Sequence, residues 1–377
     1  MQSYLRYATE KQAEIVAFLR EMVECESPSD SPAAVNRLVD FLIERTRDIA
    51  SAETVPAANF GKHLRLEFKL SGRPEGQLLA LGHSDTVWPL GTLQNMAFRE
   101  SDRRLWGPGV LDMKAGLAFF IYAMRALRDL NMPVPRKVVL LVVSDEEVGS
   151  PSSRALTEAE AAYSSSVLVL EPGTGLTGKL KTARKGVGSY RIFVEGKSAH
   201  AGVDFPNGAS AILEAARQVL RVAEFTDLAR GTTVNPGVIS GGTRTNVIAS
   251  QARVDVDIRV ASMSDALSLA ERFQALGPVD ERCSIRVEGG LNRPPMERTR
   301  AIEELFLKAR ALGEAMGVAI EESSTGGGSD GNFTAALGVP TLDGLGAVGE
   351  GAHAPNESVL VDRIADRVAL LAGLVAS

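Results

Sequence analysis

Five acidic and two histidine side chains stand in this sequence where buried charge is expensive. His83 and Asp85 lie one residue apart after the apolar run Leu78 to Leu81, in "LALGHSDTVWPLGTL" (79–93). Asp112 sits in the glycine-rich turn "GPGVLDMKAG", Glu146 and Glu147 end "VVLLVVSDEE", and Glu171 ends "SVLVLEPG". His353 occupies a late loop rich in glycine and polar residues, "GEGAHAPNES", of the kind that carries function. So much negative charge in one place is strongly destabilising unless cations offset it. Histidine with carboxylates suits zinc, manganese or cobalt, and a carboxylate bridging two ions is a common way to hold a pair. Thiolates are absent from the set, which argues against a closed structural zinc site. Two metals about 3.5–4 Å apart share a bridging water, acidify it and polarise a carbonyl. Asp85 is expected to accept the other ring N–H of His83 and fix its tautomer. Successive residues at a strand end point in different directions, so of Glu146 and Glu147 one can bind metal while the other takes a proton from the water.

The elements that must bring these residues together follow from hydrophobic patterning. "LLALGH" (78–83), "KVVLLVVSDEE" (137–147) and "SSVLVLEPG" (165–173) read as buried strands of the parallel kind, and "HLRLEFKL" (63–70) alternates as a half-exposed strand does. Amphipathic helices at the N-terminus and over 31–49, and the strongly apolar helix "MKAGLAFFIYAMRALRDL" (113–130), separate them. The helix is short and flanked by charges, so core packing is expected of it rather than a membrane or partner surface. Strands alternating with helices predict an α/β sheet covered on both faces. In such sheets ligands bind outside the carboxyl ends of the strands, which is where the acidic residues fall.

Between residues 182 and 291 the pattern changes to strand, helix, strand, strand, helix, strand, the ferredoxin-like βαββαβ order. The expectation is a catalytic domain over 1–181 and 292–377, a mixed sheet with helices on both faces, interrupted by an inserted smaller domain over 182–291.

Composition narrows the rest. The chain has 377 residues, 45% hydrophobic and 23% charged, as an ordinary globular protein does. A net charge of −6 and 5% aromatics argue against nucleic acid or an anionic membrane as partner. The N-terminus lacks an uninterrupted apolar stretch, and the two cysteines, Cys25 and Cys283, form no CxxC pair, so a reducing cytoplasm is expected.

The motifs "GHSDTV", "GPGVLDMKAG", "SDEEVGS", "EPG", "GKSAHAG", "TGGGSDG" and "EGAHAPNES", in order along nearly the whole chain, resemble the M20 metallopeptidases, particularly the glutamate carboxypeptidase (carboxypeptidase G2-like) branch. The resemblance implies a two-zinc, zinc-peptidase-like catalytic domain and a ferredoxin-like lid through which the protein forms a homodimer; cobalt or manganese are alternative metals. It casts His83 as ligand of one zinc, Asp112 as the bridging carboxylate, and Glu147, Glu171 and His353 as the remaining ligands. Glu146 takes the place of the general base and Asp85 that of the carboxylate behind the histidine. Many relatives carry a cis peptide after the aspartate; here Met113 follows. In the lid, His200 matches a histidine that reaches across the dimer to polarise the substrate carbonyl, while Asn246 and Arg259 match positions gripping the substrate carboxylate. Gly328 and Asp330 of "TGGGSDG" are placed at the pocket, and Lys179 and Arg293 beside an acidic substrate side chain.

The implied activity is hydrolysis of an amide next to a free carboxylate on a small molecule or short peptide, with release of a C-terminal glutamate. Removal of an acyl group from an N-acyl amino acid is the sibling possibility, and a non-catalytic peptide-binding relative the rival. Plainer readings compete residue by residue. Arg259 alternates with Asp255 and Asp257 and so could be a cross-strand ion pair, His200 a hydrogen-bonded loop histidine, and His63 a surface residue. "TGGGSDG" lacks the ending of a phosphate loop.

Overall fold

A computed structural model describes residues 1–377, which divide into two compact units: 1–183 with 298–324 and 329–377, and 184–297 with 325–328. The first is built on a sheet whose strands include β1 (Ala50–Val55), β2 (His63–Phe68), β3 (Gln77–His83), β4 (Lys137–Val143) and β5 (Ser164–Val169). Their order is β1-β2-β4-β3-β5, with the short strand Thr341–Leu342 at the far edge. β3 runs parallel to both β4 and β5, whereas β2 meets β1 and β4 antiparallel, so the sheet is mixed.

Because β3 and β4 are covered on both faces, every second residue faces a different core. Leu78, Ala80, Val138, Leu140 and Val142 pack with the helices Gln12–Glu24, Ala115–Asp129 and Ile364–Val375. Leu79, Leu81, Val139, Leu141 and Val143 pack into a smaller cluster with Ala161 of the helix Arg154–Ala162. This two-sided burial, about 1.5–3 kcal/mol for each large apolar side chain, is why those strands read as unbroken apolar runs. The helix Ala115–Asp129 is buried around most of its circumference, as the sequence suggested. No helix is long and apolar enough to cross a membrane.

Glycine lets the apolar helix come close to the sheet. A Cβ on Gly116 would stand 2.0 Å from the carbonyl oxygen of Leu170, and one on Gly82 would stand 2.6 Å from Leu117 Cδ2. The approach brings the Asp112 turn alongside the ends of β3 and β5. A small antiparallel sheet pairs Ser358–Leu360 with Arg104–Trp106, which ties the loop of His353 to the segment leading into that turn. The Asp112–Met113 peptide is cis.

The second unit contains β6 (Gly186–Glu195), the helix Ala211–Ala223, β7 (Thr233–Gly241), β8 (Gln251–Val260), the helix Met263–Gln274 and β9 (Ser284–Arg293). The sheet order is β7-β8-β6-β9 with every pair antiparallel, the ferredoxin-like topology. Its core is formed by alternate residues such as Ile192, Val254, Val256 and Ile258, with Tyr190 stacked on Phe273 at 3.8 Å between centroids.

The unit boundaries differ from the expected 182–291. Arg184 and Met296 exchange backbone hydrogen bonds at 3.0 Å, which keeps residues 292–297 with the second unit. Lys185 N–H donates to the Thr325 carbonyl, and Arg184 Nη1 donates to the carbonyls of Gly327 and Gly328. The first three glycines of "TGGGSDG", Gly326 to Gly328, therefore fold with the second unit, while Asp330 and Gly331 belong to the first.

Candidate metal centre

Side chains from five distant places in the first unit meet at the carboxyl ends of β3, β4 and β5. Nε2 of His83 lies 3.2 Å from Asp112 Oδ1 and 3.6 Å from Glu171 Oε1. On the other side of the same carboxylate, Nε2 of His353 lies 3.4 Å from Asp112 Oδ2 and 3.2 Å from Glu147 Oε1. Asp112 thus presents one oxygen to each histidine. Two overlapping groups, His83 with Asp112 and Glu147, and His83 with Glu146 and Glu171, offer ligand atoms within 4.8 Å of one another.

Electrostatics agree with a place built for cations. Burial alone would push the His83 imidazole down, but hydrogen bonds to Asp112 and Asp85 and their charge hold it well above its ordinary value. His353 is pushed up to about 10, chiefly by its hydrogen bonds to Asp112 and Glu147. For Asp112, burial is outweighed by the two histidines, which hold the carboxyl far below the usual carboxylate range. The carboxylates thus favour positive charge at the two Nε2 atoms, the nitrogens a metal pair would take. The all-nitrogen-and-oxygen donor set fits zinc, manganese or cobalt.

Asp85 has a further job besides its approach to His83. Nδ1 of His83 lies 2.9 Å from the backbone carbonyl oxygen of Asp85 and 3.5 Å from its carboxylate, so the carbonyl is the closer acceptor. The carboxylate also accepts the backbone N–H groups of Glu146 and Glu147, each at 3.2 Å, and the Ser29 hydroxyl at 2.8 Å. Asp85 therefore holds the loop carrying both glutamates. Ser29, distant in sequence, gave no signal of this.

His63 is a correction: it is buried, not a surface residue. Its Nδ1 accepts the Ser144 N–H at 3.1 Å, and its Nε2 lies 3.2 Å from the Ser152 hydroxyl, which donates to Asp145. The alternation of β2 places His63 at the strand's first residue, where the strand end turns inward against the "SDEE" loop. Only its position one strand away from Ser144 could have betrayed this.

Of the residues expected to touch substrate, Lys179 is paired at 2.6 Å with Glu321 on the surface of the first unit. Asp330 is buried in the first unit near Ser150, and the others belong to the second unit. His200 is exposed, and its Nδ1 accepts the N–H groups of Gly202 and Val203, which leaves the ring proton on Nε2. Asn246 is exposed, and its backbone carbonyl accepts from Ala201 N–H. Arg259 is held by Asp257 through Nε at 2.9 Å and Nη2 at 3.0 Å, so its carboxylate-gripping edge already has a partner, one residue removed on the same strand rather than across it. Arg293 is buried, and a Cβ on Gly328 would stand 2.8 Å from its Cδ.

The family described as peptidase family M20/M25/M40 matches residues 79–377. Carboxypeptidase G2 of Pseudomonas sp. is 28% identical over 375 residues, 98% of this chain and 90% of that protein. Succinyl-diaminopimelate desuccinylase of Legionella pneumophila is 26% identical over 367 residues, 91% of this chain and 93% of that protein. The crystal structure of aminopeptidase PepT from Bacillus cereus shares the fold with a TM-score of 0.81 at 22% identity, covering 97% of this chain and 98% of that one. The chain belongs to peptidase family M20/M25/M40 and is a hydrolase acting on C–N bonds.

Proposed function

We propose that this protein is a two-zinc exopeptidase of the glutamate carboxypeptidase type, cleaving an amide bond adjacent to a free carboxylate. The observation that carries the reading is the Asp112 carboxylate, with one oxygen toward His83 and the other toward His353. His83 and Glu171 would hold one metal, His353 and Glu147 the other, and Asp112 both. A bound pair supplies Lewis acidity to the scissile carbonyl and lowers the pKa of the attacking water. Glu146, its backbone N–H fixed by Asp85, accepts the water proton on its carboxylate and passes it to the leaving amine. His200, with its proton on Nε2, donates to the oxyanion. Asn246 and Arg259 receive the substrate carboxylate, Arg259 exchanging Asp257 for it, with Gly328, Arg293 and Lys179 toward the substrate side chain.

The 26% identity to a desuccinylase over most of both chains favours one second reading, removal of an acyl group from an N-acyl amino acid. A non-catalytic peptide-binding relative is disfavoured by the complete donor set. We also propose a homodimer formed through the second unit and, from two free cysteines far apart in sequence, a cytoplasmic location.

The test is Glu146→Ala, assayed for metal content and for amine release from a panel of N-acyl amino acids and dipeptides. The variant is expected to keep its metal and lose at least ~10²-fold in kcat. Retained turnover refutes the base assignment, and a wild-type protein that neither holds nor gains metal favours the peptide-binding reading.

A further inference from the structure

Glu357 is a fully buried carboxylate that the mechanism above does not use. Its Oε1 accepts the N–H groups of Leu111 at 2.8 Å and Asp112 at 3.0 Å; its Oε2 accepts the Gly109 N–H at 2.9 Å and the Trp88 Nε1–H at 2.7 Å. Four donors converge on the two oxygens of one side chain, an arrangement a carboxylate satisfies fully, whereas an amide would turn a hydrogen of its own toward two of them; burial pushes the carboxyl up and these hydrogen bonds oppose it. Three of those donors are backbone N–H groups of the one turn, Gly109–Asp112, that aims Asp112.

The other end of Glu357 is equally placed. It lies four residues after His353, and its N–H donates to the Ala354 carbonyl at 2.9 Å, closing the loop in which His353 adopts a left-handed backbone with φ of 62°. Ser358, the next residue, pairs with Trp106 and so pins that loop beside the strand leading into the Asp112 turn. One residue thus connects the backbone carrying the shared carboxylate to the loop carrying a histidine of the second position, across about 245 residues of sequence.

We propose that Glu357 is a positioning residue for the metal pair: it locks the Gly109–Asp112 turn to the His353 loop, so that the Asp112 carboxylate stays aimed at both histidines. This rests on the two-metal reading. A buried acceptor that only stabilised the fold would lower the melting temperature without changing metal affinity; a positioning residue changes affinity, and changes it at both positions because both share Asp112.

The experiment titrates metal-free wild type, Glu357→Gln and Trp88→Phe with Co(II), following the visible absorption of the bound ion alongside the melting temperature of each metal-free protein. Wild type is expected to take up two equivalents. Glu357→Gln is expected to bind both roughly 10–100-fold more weakly with an altered spectrum, the usual effect of losing an outer partner of a metal ligand. Trp88→Phe, which removes one donor and leaves the three backbone ones, is expected to melt as wild type and to weaken binding by less. A folded Glu357→Gln that binds two equivalents with wild-type affinity and spectrum overturns the proposal while leaving the two-metal reading intact. If Glu357→Gln does not fold, Trp88→Phe decides, and wild-type affinity there overturns it. Failure of wild type to take up two equivalents removes the two-metal reading and this inference with it.

Discussion

His83 and His353 face their carboxylates through Nε2, the nitrogen each would give to a metal, and both hold a proton far above the ordinary imidazole range. A metal pair must displace those protons, so binding is expected to release about two protons at neutral pH and to tighten as pH rises toward the His353 value of about 10. Titration calorimetry in buffers of different ionisation enthalpy measures this; binding without proton release contradicts the assignment. His63 makes the opposite kind of prediction. Burial pushes its pKa below the ordinary value, opposed by the charges of Asp145, Asp330 and Asp85. Between the folded pKa and about 6.5 the unfolded chain binds a proton that the folded protein does not, so stability rises with pH through that window and falls on acidification. His63→Phe should flatten this acid slope and, by stranding the Ser144 N–H, cost about 1–3 kcal/mol in urea unfolding. An unchanged slope would show that His63 does not titrate as argued.

Among the elements, the contact between the apolar helix and the sheet decides whether Asp112 reaches His83. Gly116→Ala places a methyl group against the Leu170 carbonyl, one residue before Glu171, with no flexible side chain to yield. The expected outcome is a loss of about 1–3 kcal/mol in stability together with weaker metal binding, since the helix start must back away from the strand end. Wild-type stability and affinity in that variant would show that the close approach is dispensable. This element was largely legible: "DMKAG" opening an apolar helix, and carboxylates ending apolar runs, are patterns that buried strands and their loops impose on sequence. The reach of individual polar groups was not. The Asp85 carbonyl stands nearer to His83 than the carboxylate does, and Lys179 pairs with Glu321, because such choices depend on a few tenths of an ångström that spacing does not encode.

Across the whole molecule, family membership and the α/β and ferredoxin-like patterns could be read from motif order and hydrophobic period. The division of the chain is less legible in its sequence. Glycine-rich residues 325–328 carry no apolar pattern; hydrogen bonds from Arg184, Lys185 and Arg259 and the packing of Gly328 against Arg293 hold them in the second unit. His63 escaped for a related reason: alternation says which way a strand residue points, not what closes over it. The substrate turns on pocket details that sequence similarity near 28% leaves open between peptidase and deacylase. The metal pair itself can be made visible. Anomalous diffraction from zinc-soaked crystals should show two peaks about 3.5–4 Å apart, one on each side of the Asp112 carboxylate, with His83 and Glu171 at one and His353 and Glu147 at the other. A single peak, or none near Asp112, would contradict the account.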